Sequence, residues 1–265
     1  MCTLLFAWQV DPARPLVVAA NRDEFYARPA ERASFWQDAP QVLAGRDLQA
    51  GGTWLGVTRE GRFAALTNVR EPGRPAPPHA PSRGQLVADF LRGDSAPEHY
   101  LGGLRPADYA GFNLVVGFIG FIGDRASLWY LSNRAGPARR LGPGVYGVAN
   151  AALDSPWPKV TRGRERLAAL VAGGEPGTRT LLDLLADPTP AADAELPDTG
   201  VGLALERMLS PLFIASPVYG TCCSTALAIH RDGALEFCER TQNPLAPAGP
   251  GEVAYHVSGV PGSPQ

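Results

Sequence analysis

The stretch Met1-Cys2-Thr3-Leu4-Leu5-Phe6-Ala7-Trp8-Gln9-Val10, then Asp11-Pro12-Ala13-Arg14, then Leu16-Val17-Val18-Ala19-Ala20-Asn21-Arg22-Asp23-Glu24, decides how this chain folds. Alternation over Cys2, Leu4, Phe6, Trp8 and Val10 predicts a strand. Asp-Pro-Ala-Arg is turn chemistry, and Leu16 to Ala20 is a second apolar strand running into the charged tetrad Asn21-Arg22-Asp23-Glu24. The two strands form a hairpin. If Val10 pairs with Pro15, Cys2 falls opposite Asp23; a slip of one residue sets Arg22 or Glu24 there instead. Every register brings the tetrad beside the start of the chain, with opposed Cβ atoms about 5 Å apart on one face.

That juxtaposition gives Cys2 a chemical reading. The small residue after Met1 suits removal of the initiator, leaving a thiol and an α-amine on one residue. Their ordinary pKa values are about 8.5 and about 8, so the amine can serve as base for the thiol. An arginine nearby favours the thiolate, and a carboxylate can orient the amine. Cys2, Arg22 and Asp23 are therefore candidate catalytic residues, with Asn21 and Glu24 as candidate substrate contacts. The bland alternatives are a small buried cysteine in an edge strand and a solvated charged turn.

Outward from the hairpin, strands are predicted at 53–58 and 62–69, and a Pro-rich loop at 72–81. Ser82 and Gln85 resemble a capping box opening a helix that Gly93 stops. Strands follow at 112–118, 127–131 and 145–150. A helix starting at Ser155-Pro156 runs to about Val171, with two more helices at 179–186 and 201–209. A final hairpin at 224–230 and 234–240 turns on Asp232-Gly233. Residues 1–242 read as one domain. Residues 243–265 read as a Pro- and Gly-rich extension with a short strand at 252–257. The order of elements is α+β, with antiparallel sheets and grouped helices.

Composition narrows the function. The 265 residues carry a net charge of −2, which offers nothing to nucleic acid. No apolar run approaches the roughly 18 residues of a membrane span. The four cysteines lack C-x-x-C spacing, so no metal site is expected, and they read as reduced in a cytoplasmic protein. Lys159 is the only lysine, and Gly and Pro are abundant, as in a protein from a GC-rich bacterial genome.

Other residues suggest a pocket. Asn68 and Asn150 each end a predicted strand, where a side-chain amide can donate to an oxyanion or simply form a turn. Trp54 follows the Gly51-Gly52 turn and can wall a pocket or fill the core. Trp157 precedes Lys159 in the first turn of a predicted helix. That end disfavours a cation, so a tertiary partner or an anionic ligand is expected.

Met1-Cys2, Asn21-Arg22-Asp23-Glu24, Gly51-Gly52-Thr53-Trp54, Thr67-Asn68-Val69-Arg70, Tyr146-Gly147-Val148-Ala149-Asn150, Pro156-Trp157-Pro158-Lys159 and Tyr219-Gly220-Thr221 occur in one order. Together they resemble the NRDE family, also called the transport and Golgi organisation family. The resemblance implies a four-layer αββα sandwich of the N-terminal nucleophile hydrolase type. It also implies an N-terminal cysteine hydrolase of an amide or thioester bond in a small molecule. Cys2 would be nucleophile, Arg22 and Asp23 its neighbours, and Asn150 with Asn68 the oxyanion donors. By their own placement, Trp54, Trp157 and Lys159 are candidate substrate or ligand contacts. The alternative is a non-catalytic carrier of haem or an acyl lipid. One departure is Cys222, where the family pattern has an arginine after Tyr-Gly-Thr.

Overall fold

A computed structural model describes residues 2–119, 126–174 and 176–258. Met1 and the last seven residues of the C-terminal extension lie outside them. The chain begins with six strands: β1 (Cys2–Trp8), β2 (Leu16–Phe25), β3 (Ala30–Trp36), β4 (Ala39–Asp47), β5 (Leu55–Thr58) and β6 (Arg62–Asn68). Two helices follow, α1 (Gly84–Arg92) and α2 (Pro97–Gly103), then β7 (Phe112–Phe118), β8 (Ser127–Ser132), β9 (Gly136–Arg140) and β10 (Gly144–Val148). Next come α3 (Pro158–Ala172), α4 (Thr178–Leu185) and α5 (Leu203–Leu209). The described chain closes with β11 (Tyr219–Ile229), β12 (Leu235–Thr241) and β13 (Gly251–Val257).

The strands make two antiparallel sheets, in the orders β10-β1-β2-β11-β12-β13 and β3-β4-β5-β6-β7-β8-β9. Side-chain parity explains the layers. Leu4, Phe6 and Trp8 of β1 point into a core shared with Val57, Phe63 and Val115 of the second sheet. Leu5 and Ala7 point the other way, onto Leu167 of α3 and Leu181 and Leu185 of α4. On the far side, Ala44, Ala64 and Leu114 pack against Leu86, Phe90 and Leu91 of α1. The result is the αββα sandwich of an α+β fold. Close approach needs glycine at two places. A Cβ on Gly163 of α3 would lie 2.6 Å from Leu5 Cδ1. One on Gly52 would lie 2.5 Å from the Gly84 carbonyl carbon, so this glycine lets the start of α1 touch the turn before Trp54.

Several expectations change. β1 ends at Trp8; Val10 is exposed, and Gln9, with φ of 51°, breaks the strand. Trp8 then pairs with Leu16, which moves the register by one and sets Cys2 opposite Arg22 instead of Asp23. The capping box does not form: Arg83 is the cap residue of α1, and the Gln85 amide donates to the Ala50 carbonyl. α3 starts at Pro158, behind Trp157. β3 and β4 were not foreseen, because two register shifts break the alternation of β3. Nor was β9, an exposed edge strand without an apolar face, nor the short, glycine-ended α2. β13 pairs with β12 over its whole length.

Candidate functional site

The tetrad lies inside the sheet. β2 is flanked by β1 on one side and β11 on the other, so its charged end is covered from both edges. Cys2 and Cys223 stand on either side of Arg22, and Thr221 stands opposite Asp23. Cys222 is the extra residue of a β-bulge between those pairs. Asn21, Arg22 and Asp23 are consequently buried. Uncompensated, such burial would cost several kcal/mol per charge, so each charge has partners.

Cys2, Arg22, Asp23 and Glu24 line a cavity of about 120 Å³, closed across the sandwich by Trp54 and Asn68. The Arg22 guanidinium lies 4.5 Å from the Trp54 ring centre, and its Nη2 is 3.8 Å from Asp47 Oδ2. Asp47 is already engaged: Arg28 Nε donates to it at 2.7 Å, and the backbone N–H groups of Gln49 and Ala50 donate to its other oxygen. Asp23 accepts from Thr221 Oγ1 at 2.8 Å, and its main-chain carbonyl accepts from the Tyr219 hydroxyl. Burial pushes the Asp23 carboxyl up, and Lys159 pulls it back. Burial also pushes the Cys2 thiol up; Asp23 and Glu24 add to this, and Arg22 opposes it.

Lys159 stands behind Asp23, away from the cavity lining. Its Nζ donates to the Leu209 carbonyl at 3.1 Å, and burial lowers its pKa to about 8, with Asp23 resisting. Arg70 completes this rear cluster. It pairs with Glu206 at 2.5 Å and lies 4.8 Å from the Trp157 ring centre. Glu206 also accepts from the backbone N–H and hydroxyl of Thr199.

The ten residues singled out in the sequence therefore divide. Cys2, Arg22, Asp23, Glu24, Trp54 and Asn68 meet in the cavity. Asn21 does not: it points to the helical face, donates to the carbonyls of Leu185 and Leu212, and accepts from Ser224. Trp157 and Lys159 belong to the rear cluster. Asn150 donates to the Asn68 carbonyl at 2.8 Å, while its carbonyl accepts from Arg70 N–H, so it braces the strand end that carries Asn68. Arg28, Asp47 and Arg83, also in the cavity wall, carried no sequence signal beyond charge. Thr221 was visible only as part of Tyr-Gly-Thr. No cluster of His, Cys, Asp or Glu suited to a metal occurs among the described residues. No helix there is long and apolar enough to cross a membrane.

Comparison with known proteins agrees with this architecture. The sequence profile of the family described as Transport and Golgi organisation 2 matches residues 1–244. The human Transport and Golgi organization protein 2 homolog is 35% identical over 260 residues, covering 91% of this chain and 93% of its own length. The Drosophila melanogaster protein is 30% identical over 276 residues, covering 94% and 95%. Among solved structures, a mutant of the conjugated bile acid hydrolase from Clostridium perfringens superposes with a TM-score of 0.54 at 9% identity. It covers 97% of this chain and 92% of that one. At that identity the likeness concerns the fold alone, which is that of the N-terminal nucleophile hydrolases.

Proposed function

The chain belongs to the Transport and Golgi organisation 2 family, and we propose that this member is an N-terminal cysteine hydrolase of an amide or thioester bond in a small molecule. One observation carries the reading: Cys2 lies in the cavity wall directly opposite Arg22, Asp23 also lines the cavity, and Asn68 faces it from the second sheet. Burial holds the thiol protonated, so it needs a base at hand. Once Met1 is removed, the α-amine of Cys2 is that base. The thiol proton passes to the amine as sulfur bonds to the substrate carbonyl carbon. The resulting oxyanion takes a hydrogen bond from the Asn68 amide, which Asn150 braces from behind. The tetrahedral intermediate collapses, the C–N or C–S bond breaks, and the α-ammonium returns the proton to the leaving group. Water then adds to the thioester with the amine again as base, releasing the acid and restoring the thiol. Arg22 supports negative charge on sulfur. Asp23, facing Lys159 and Thr221, orients the ammonium.

The carrier of haem or acyl lipid has less support, because Trp157 and Lys159 stand outside the cavity it would need. Two measurements test the hydrolase. Intact-mass spectrometry should show Met1 removed; a retained Met1 rules the mechanism out. An electrophilic amide or thioester probe should label the wild type and not Cys2→Ala; equal labelling of both would refute Cys2 as nucleophile.

A further inference from the structure

Three arginines line the cavity: Arg22, Arg28 and Arg83. Two have a carboxylate at hand in Asp47, which lies 2.7 Å from Arg28 and 3.8 Å from Arg22. Arg83 differs. Among the described residues no carboxylate lies within 4 Å of it, and the one hydrogen bond of its guanidinium is from Nη1 to the Gly111 carbonyl at 3.0 Å. Burial weakens its charged form and neighbouring Arg28 weakens it further, while the charges of Glu24 and Glu71 favour it. The nearby carboxylates are committed elsewhere. Asp47 is held by Arg28 and two backbone N–H groups, and Glu24 accepts from Phe25 N–H. A guanidinium has five donors in a planar fork that matches an oxyanion, and that of Arg83 gives one bond to a protein acceptor.

We propose that Arg83, assisted by Arg28, is an oxyanion subsite of the cavity, and that the substrate is an amide or thioester carrying a carboxylate or a similar oxyanion close to its scissile bond. The proposal gives a substrate class to the hydrolase reading and rests on it. The cavity is small, so the anion sits near the Cys2 sulfur rather than on a distant surface. Its position is set by the loop before α1, which the Gly52–Gly84 contact holds against the turn carrying Trp54. Burial of the fork strengthens its preference for an anion over a neutral isostere.

Binding can be measured apart from chemistry. Calorimetry on Cys2→Ala compares N-acetylglycine with its uncharged analogue N-acetylglycinamide. The carboxylate should bind at least tenfold more tightly, and the preference should shrink in 0.5 M NaCl. Arg83→Gln in the same background should abolish it and Arg83→Lys should restore part of it, with the melting temperature reporting that each variant is folded. Equal affinity for the two compounds, or a preference unchanged in Arg83→Gln, would overturn the subsite. The reactive cysteine is tested in parallel, by the rates at which iodoacetate and iodoacetamide alkylate Cys2 in the wild type. Alkylation of Cys2 by both reagents without charge preference again counts against the subsite alone. Anion binding with no alkylation of Cys2 leaves the subsite standing and removes the nucleophile.

Discussion

Charge lies on both sides of Cys2, and the two sides are balanced differently. Behind it, Lys159 and Arg70 face Asp23 and Glu206, two cations against two carboxylates, with hydroxyls and backbone groups from Thr221, Thr199 and Leu209 taking further hydrogen bonds. In front, the cavity wall holds Arg22, Arg28 and Arg83 with the carboxylates of Asp47 and Glu24; Asp47 serves two of the arginines, Glu24 accepts from Phe25 N–H, and among the described residues no carboxylate lies within 4 Å of Arg83. A closed set of charges is the arrangement by which a fold tolerates ions in its interior. An open set beside a small cavity leaves donors for something that comes from solution. The same kind of residue is thus structural in one cluster and a candidate for ligand binding in the other, and whether a carboxylate contacts each guanidinium makes the difference.

The contrast can be broken at several points. Glu206→Ala should have the largest effect. It leaves Arg70 buried beside Lys159 without its carboxylate, and loss of about 3–5 kcal/mol is expected in chemical denaturation. A loss below about 1 kcal/mol would show that the rear cluster is not closed as described.

Lys159 gives a pH signature of the next size. Its folded pKa is lowered to about 8 from 10.5, so between those values the unfolded chain binds the proton and the folded one does not. Stability due to this group therefore rises with pH over that window. The wild type should gain about 3 kcal/mol on Lys159→Met between pH 8 and pH 10.5, by the conversion of a pKa shift into energy. Taking the difference between the two proteins cancels the thiols and tyrosines that titrate in the same range. A constant difference would place Lys159 in a wetter setting.

Thr221→Val removes one donor to Asp23 and should cost about 1–2 kcal/mol. Arg83→Gln should cost least, under about 1 kcal/mol, because no carboxylate is left behind and only the Gly111 carbonyl loses a donor. If Arg83→Gln proved as destabilising as Glu206→Ala, the front cluster would be structural too.

Much of this was legible in the chain. Alternation in β1 and the apolar run of β2 are enough for a hairpin buried on both faces, because parity sends successive side chains to opposite layers. The hairpin also brings the tetrad to Cys2. The register was one residue off, since Gln9 breaks β1 earlier than its hydrophobicity suggests. That slip matters chemically: Arg22, not Asp23, shares a face with the thiol. Lys159 at a helix N-terminus was a sound signal of a tertiary partner, and Asp23 with the Leu209 carbonyl supplies it. Its grouping with Trp54 in one pocket did not survive, because α3 covers the outer face of the sheet while Trp54 lies between the sheets.

What the sequence determined by itself was therefore local and periodic: two strands of known parity, a turn between them, and a cysteine placed, to within one residue of register, beside a charged tetrad. Those follow from short-range sterics and from the two-residue repeat of a strand, which need no knowledge of the rest of the chain. Tertiary structure decided which charges would meet. Asp47 reaches Arg22 only through β4, and Glu206 reaches Arg70 across 136 positions of chain. Arg83 stands without a carboxylate because the packing of α1 against the Gly52 turn brings none within reach. Pairing between distant segments depends on how layers stack, and no local pattern of residues encodes it.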